Sequence, residues 1–399
     1  MSPLQDHTES RPELEAKKSP GAIFMTGATG FLGRYLVRDL MQQGRTVAVL
    51  SRASKDETAQ QRLDAFLNEM GVSGDSSLPQ PVCLEGSLDQ PNLGLSDESL
   101  SWVRGNCTEI LHNAASLTFD TDVRTNEPKR TNLEGTQNLI DLAAATGIST
   151  FHDVSTAYVC GLRSDLVREE DPVGINGFRN DYEQTKSLAE KSIKTASHLT
   201  TKTFYRPAII VGEFESGRTT SYQGPYQSMF YTWVCAQVAE RNAEGRWHHP
   251  VRINLSGTEL RNLVPVDWVS KAIVTGIMNP SCSGRTYHLT PEVPVTTSQL
   301  EEALEEYFGY SGVTFVGSAS LPDADSTPAE LDFYKWMGQY RKYMSTEPRF
   351  DSTNTREYLG TVCPEIDRGG LLRLIDYAVQ AQFGRLKKRN RRQGRTRAA

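Results

Sequence analysis

The stretch TGATGFLG, residues 26–33, decides the fold. It sets Gly27, Gly30 and Gly33 three apart, at the end of the apolar run GAIFMT (21–26). A helical pattern follows, with Phe31, Leu32, Tyr35, Leu36 and Leu40 at helix spacing. Glycines between a strand and a helix let the chain turn sharply and let a pyrophosphate approach the backbone. At the helix N-terminus, unpaired N–H groups and the helix dipole favour that anion. Thr26, Gly27, Thr29, Gly30, Phe31, Leu32 and Gly33 are therefore the expected cradle of a dinucleotide. An ordinary tight turn is the plainer alternative, and the strand-then-helix context argues against it.

Outward from this loop, strand and helix patterns alternate. Strands are predicted at 46–50 (TVAVL), 81–84, 108–111, 150–154 and 203–211, and helices at 59–70, 132–146 and 182–198. Such alternation implies an α/β protein, a Rossmann-type doubly wound parallel sheet with helices on both faces. Beyond about residue 212 the rhythm breaks, which predicts a smaller C-terminal α/β substrate-binding region. The expected division is a tail at 1–19, a cofactor domain at 20–212, a substrate region at 213–384 that returns some elements to the first domain, and a basic tail at 385–399. The segment 218–227 (RTTSYQGPYQ) reads as a substrate-facing loop. Tyr222, Gly224, Tyr226, Met229, Phe230, Tyr231 and Trp233 suggest an aromatic pocket wall, with a core cluster as the alternative.

Composition narrows the class. With 38% hydrophobic and 23% charged residues the chain fits a soluble globular protein. No apolar run approaches the ~20 residues of a membrane span, and the polar first 19 residues do not read as a secretory signal. Six scattered cysteines without a CxxC pair point to free thiols in the cytoplasm, and against a disulfide framework or a metal site. His248 and His249 have no acidic partners at ligand spacing. The net charge is −6, yet residues 385–399 carry eight Lys/Arg and no acid, which leaves −14 for the rest. That tail could touch an anionic lipid surface; a solvated terminus is the plainer reading, and no nucleic-acid partner is expected.

An acid usually ends the second strand where the cofactor carries a ribose 2′-hydroxyl. Here the residues are Ser51 and Arg52. A guanidinium suits a 2′-phosphate, so NADPH is expected over NADH, with Arg34 as a candidate helper.

TGATGFLG, HNAA (112–115), NLEGTQN (132–138), DVSTAYV (153–159) and the pair Tyr182 and Lys186 stand in the order found in extended short-chain dehydrogenase/reductases. Within that superfamily the chain resembles the thioester-reductase-like branch, related to fatty acyl reductases and to terminal reductase domains of peptide synthetases. PNLGLS (91–96), YEQTK (182–186), YRPAIIVG (205–212) and NLVPVDWV (262–269) carry that choice. The resemblance implies that Ser87, Leu88, Asn113, Ala114, Ala115, Pro207 and Ile209 line the cofactor, with His112 in the wall. Ser87 stands where the family usually has an acid facing adenine.

The chemistry of the pair can be stated on its own. Hydride arriving at a carbonyl carbon leaves negative charge on oxygen, which needs a proton donor. Tyr182 is the natural donor, and Lys186 one turn away should favour its ionised form and lower its ordinary pKa of about 10. Lys186 should also hold the nicotinamide ribose, and Ser155 should orient the carbonyl. The resemblance adds Asn132 as holder of a water that reprotonates the lysine. The expected activity is reduction of an acyl thioester, free or carrier-bound, to aldehyde or alcohol, or of a ketone or aldehyde. Nucleotide-sugar epimerases or dehydratases, and non-catalytic cofactor sensors, are the competing classes. Relatives occur as monomers and as homodimers, and both states stay open.

Overall fold

A computed structural model describes residues 21–317, 325–344 and 347–385. The expected tail at 1–19, and the basic tail beyond Arg385, lie outside the described residues. Seven parallel strands form the central sheet: β1 (Ala22–Thr26), β2 (Val47–Ser51), β3 (Val82–Glu85), β4 (Cys107–His112), β5 (Thr150–Val154), β6 (Thr201–Pro207) and β7 (Thr286–Leu289). Their order is β7-β6-β5-β4-β1-β2-β3. It reverses between β1 and β4, which puts the glycine loop at the switch point where such sheets bind ligands. Strands β1 and β2 are buried along their whole length, as a sheet covered on both faces requires.

Helices α1 (Phe31–Gln42), α2 (Ala59–Glu69), α3 (Asp97–Asn106), α4 (Gly135–Thr146) and α5 (Asp181–Thr195) make the crossovers. α4 is preceded by a π-helical turn, Arg130–Glu134, that carries Asn132. The expected strand at 203–211 breaks in two. Pro207 has no N–H to continue a ladder, and Ile209–Val211 leaves the sheet to pair in parallel with Leu263–Pro265.

The C-terminal part sends elements back to the central sheet and its helices. β7 extends the sheet beyond β6, and α7 (Val266–Met278) packs on α1. The smaller region holds α6 (Tyr226–Val238), the parallel pair Trp247–Ile253 and Tyr310–Phe315, α8 (Thr297–Phe308), α9 (Pro328–Trp336), α10 (Thr353–Leu359) and α11 (Arg368–Gln380).

One buried ion pair ties α5 to the sheet. Glu190 accepts from Arg206 Nε at 2.9 Å and Nη2 at 2.7 Å, with both side chains sealed from solvent. Burial alone would lift the carboxyl, but the guanidinium outweighs it and holds Glu190 down at about 2. Glu190→Gln leaves Arg206 buried without its counter-charge. A loss of about 3–5 kcal/mol is expected in denaturant unfolding.

Candidate active site

The chain builds a cleft of about 760 Å³ that runs from the glycine loop, past the C-terminal ends of the strands, into the smaller region. Thr26, Gly27, Thr29, Gly30, Phe31 and Leu32 line its first part, and Ser51, Arg52, Ser87 and Leu88 line the side toward β2 and β3. Asn113, Ala114, Ala115, Pro207 and Ile209 border it further along, with Ser155 and Tyr182 where the cleft turns toward the smaller region. Five expected residues do not reach the wall: Gly33, Arg34, His112, Asn132 and Lys186.

Each glycine of the loop has a physical reason. Gly27 has φ +72° and lies against β4, where a Cβ would stand 2.6 Å from Ala114 N. Gly30 is the N-cap of α1 and offers no side-chain bond to the first-turn amides, which leaves them for an anion. Gly33 packs helix against loop, and a Cβ there would come within 2.0 Å of Gly27 O. Gly33→Ala forces the backbone apart. An overpacking cost of about 1–3 kcal/mol is expected in denaturant unfolding, together with weaker thermal stabilisation by added nicotinamide dinucleotide than in the parent protein.

The β2 end holds more positive charge than the sequence reading found. Arg62 of α2 joins Arg52 in the wall; its Nη1 donates to Arg52 O at 2.6 Å and its Nη2 to Thr29 Oγ1 at 3.3 Å. Arg34, named as a helper, instead pairs with Glu69 at 2.6 Å and does not line the cleft. The missing acid beside Ser87 is also found. Ser87 Oγ donates to Asp89, which lines the same wall and pairs with Arg130 at 2.8 Å. The Ser87 bond and the Arg130 charge hold the Asp89 carboxyl below its usual range, against a partial burial that would raise it.

His112, expected in the wall, is buried behind it and is not a base. Thr26 Oγ1 accepts the Asn113 and Ala114 amides, so its own hydrogen goes to His112 Nδ1 at 2.8 Å. Thr136 Oγ1 donates to Asn132 O, so it accepts from His112 Nε2 at 2.9 Å. The ring is thus neutral with its proton on Nε2. Burial pushes its pKa down to about 3, with the Lys186 charge adding to the shift.

Tyr182 opens α5, whose N-cap Asn180 accepts from Glu183 N at 3.0 Å. Phe119 packs at 6.3 Å from the Tyr182 ring and itself stacks with Tyr340 and Tyr343. This aromatic cover raises the phenol above its ordinary pKa through burial, the opposite of the expected shift. The opposing influence comes from the Thr156 hydroxyl and not from the Lys186 ammonium. Lys186 is buried one turn along and donates to Val154 O at 3.0 Å.

Ser155 and Thr156 both line the cleft with Tyr182. Ser155 Oγ is buried, approaches the Glu190 carboxylate and closes no hydrogen bond among the described residues. Asn132 is fully engaged: its Oδ1 accepts from Ser116 N at 2.7 Å, and its Nδ2 donates to Ser116 O and Thr185 Oγ1. Its carbonyl takes Thr136, so the side chain fixes the turn after β4 and does not face the cleft.

The aromatic wall expected from 222–233 packs elsewhere. Tyr226 and Met229 are buried in a core with α8 and α11, and Phe230, Trp233 and Phe383 pack on one another. Gly224 does line the cleft, together with Ser221, Gln223, Pro225 and Ser228, so the loop itself behaves as read. The apolar lining beyond Tyr182 comes from Ile253, Leu255, Leu300, Leu304, Phe333 and Met337. Among the described residues no group of His, Cys, Asp and Glu is placed to hold a metal ion, and no helix is long and apolar enough to cross a membrane.

With this geometry in view, residues 25–273 match the male sterility protein family of NAD-binding proteins. The chain belongs to that family. Its members make it an NAD(P)-dependent oxidoreductase of the thioester-reductase-like kind. It is 29% identical over 297 residues to the nonribosomal peptide synthetase asaC of Aspergillus flavus, covering 71% of this chain and 27% of that protein. It is 24% identical over 400 residues to the aldehyde reductase lnaA of the same fungus, covering 90% and 36%. The chain thus spans between about a quarter and a third of the length of these curated relatives. Among solved structures it resembles the terminal R domain of the myxalamid PKS-NRPS pathway. The TM-score is 0.73 at 25% identity, with 92% of this chain and 93% of that one covered. The glycine cradle, the uncapped first turn of α1 and the arginine pair fit a phosphorylated dinucleotide.

Proposed function

We propose that this chain is an NADPH-dependent reductase of carbonyl groups whose first candidate substrate is an acyl thioester with a lipid-like or natural-product chain, free or bound to a carrier protein. The observation that carries the reading is the Tyr182 phenol, which lines the cleft together with Thr156 where the dinucleotide part meets the apolar chamber. NADPH, when bound, supplies the hydride. Tyr182 donates a proton to the carbonyl oxygen as charge develops there. Because burial raises its pKa, the hydroxyl keeps its proton until that moment, which suits an acid. Thr156 orients the same oxygen, and Lys186 brings positive charge behind the tyrosine.

The likeness to a peptide synthetase and to a terminal R domain supports the thioester; the likeness to an aldehyde reductase supports an aldehyde at the same site. Arg52 and Arg62 support a 2′-phosphate and disfavour the epimerase reading, in which an acid usually holds the ribose. The test offers a medium-chain acyl-CoA, the matching aldehyde and a ketone in parallel, with NADPH. Release of free thiol with formation of aldehyde or alcohol is expected. Turnover of the aldehyde or ketone alone removes the thioester and keeps the rest. Cofactor binding without turnover of any carbonyl favours a sensor.

A further inference from the structure

Behind Lys186 lies a charge to which the proposed reaction gives no task. Asp153, in β5, is fully buried and stands in register with His112 of β4. Neither of its carboxylate oxygens has a hydrogen-bond partner among the described residues. Its one close cation is Lys186, whose Nζ lies 3.8 Å from Oδ1 while donating to the carbonyl of the next residue, Val154. The lysine is therefore held by two consecutive residues at one strand end, a carboxylate and a carbonyl.

The surroundings leave this pairing without a substitute. The other charges that face Asp153 are Glu190 and Lys194 on α5 and Arg206 on β6, and Arg206 is bidentate to Glu190. His112, on the neighbouring strand, is neutral with both ring nitrogens committed. A buried carboxylate without hydrogen bonds is costly, and a neutral side chain of the same size would pack there at less expense. Asp153 also lies close enough to Tyr182 for its negative charge to add to the rise of the phenol.

We propose that Asp153 is a positioning residue, whose ionised carboxylate balances the Lys186 ammonium and holds it behind Tyr182, so that cofactor binding and turnover require Asp153 in its charged form. This rests on the roles given to Tyr182 and Lys186 above. Burial pushes the acid up to about 6, with the Lys186 charge pulling the other way, so the group changes charge within the working pH range. A raised carboxyl penalises the folded state above that pH, and the penalty fades as pH falls toward the ordinary carboxylate value.

Asp153→Asn tests this through thermal unfolding and NADPH affinity between about pH 5 and 8, alongside carbonyl turnover. The parent protein should lose NADPH affinity through an acid limb near pH 6. The variant should lack that limb and bind NADPH roughly tenfold more weakly at neutral pH, the equivalent of one pKa unit of interaction. It should also melt at or above the parent temperature at neutral pH, with the difference shrinking on acidification. Lys186→Met reads the same pairing from the other side: the inflection in melting temperature should move to higher pH. An acid limb unchanged in Asp153→Asn, or absent from the parent, overturns the proposal. NADPH affinity reports on Asp153 without any substrate, so absence of carbonyl turnover would count against the proposed function alone.

Discussion

Tyr182→Phe is expected to lower the rate of carbonyl reduction by about 10³-fold, within the range for loss of a positioned general acid. NADPH affinity should hold, because the ring still fills its place against Phe119 and only the hydroxyl is lost. The neighbouring hydroxyls separate two accounts of the site. Thr156 lines the cleft with Tyr182 and acts against the rise of its pKa, so Thr156→Ala should lower kcat with little change in cofactor affinity. Ser155→Ala, which removes an oxygen that closes no bond, should change kcat less. Steady-state kinetics on the three variants reads both effects. Equal losses at Ser155 and Thr156 would mean that the phenol is oriented from both residues and that the assignment to Thr156 is wrong.

The second large effect concerns the choice of cofactor. Arg52 and Arg62 line the cleft at the end of β2, and Arg62 is fixed by its bonds to Arg52 O and Thr29 Oγ1. A charge-assisted hydrogen bond contributes about 1.5–3 kcal/mol. Arg52→Ala and Arg62→Ala should each weaken NADPH binding by roughly ten- to a hundredfold while leaving NADH nearly untouched. The preference, measured as the ratio of kcat/KM for the two cofactors, should collapse in the double variant. A parent protein that uses NADH equally well, with neither substitution changing the ratio, contradicts the reading of this strand end.

How far the sequence was legible follows from what each signal records. The glycine loop was readable because its spacing encodes backbone approach, and backbone approach is what the Gly27 and Gly33 positions require. Strands β1 and β2 were readable because a sheet covered on both faces needs continuous apolar runs. Helix α3 was not singled out: it sets only Val103 fully into the core, and its periodicity is correspondingly faint.

The site was legible in its residue types and less so in their directions. Ser155 and Thr156 are neighbours that point to different partners, and no one-dimensional pattern separates them. Arg62 lies in a helix and reaches the cleft only because α2 packs beside β2. Asp89 brings an acid into the wall beside Ser87 because the turn after β3 presents it two residues late. The aromatic cluster of α6 was ambiguous for a physical reason. The apolar residues of this helix are not confined to one stripe, so its pattern does not say which of them meet a ligand; Tyr226, Met229 and Phe230 pack toward α8, α9 and α11 instead of the cleft.

The most direct test of the central claim follows the hydride itself. The purified protein is given NADPH deuterated at the transferring position of the nicotinamide and a medium-chain acyl-CoA or its aldehyde, and the product is examined by mass spectrometry. The account predicts product carrying deuterium on the former carbonyl carbon, formed at a rate that Tyr182→Phe lowers by about 10³-fold. Consumption of the carbonyl without deuterium in the product, or at the same rate in Tyr182→Phe, would contradict it.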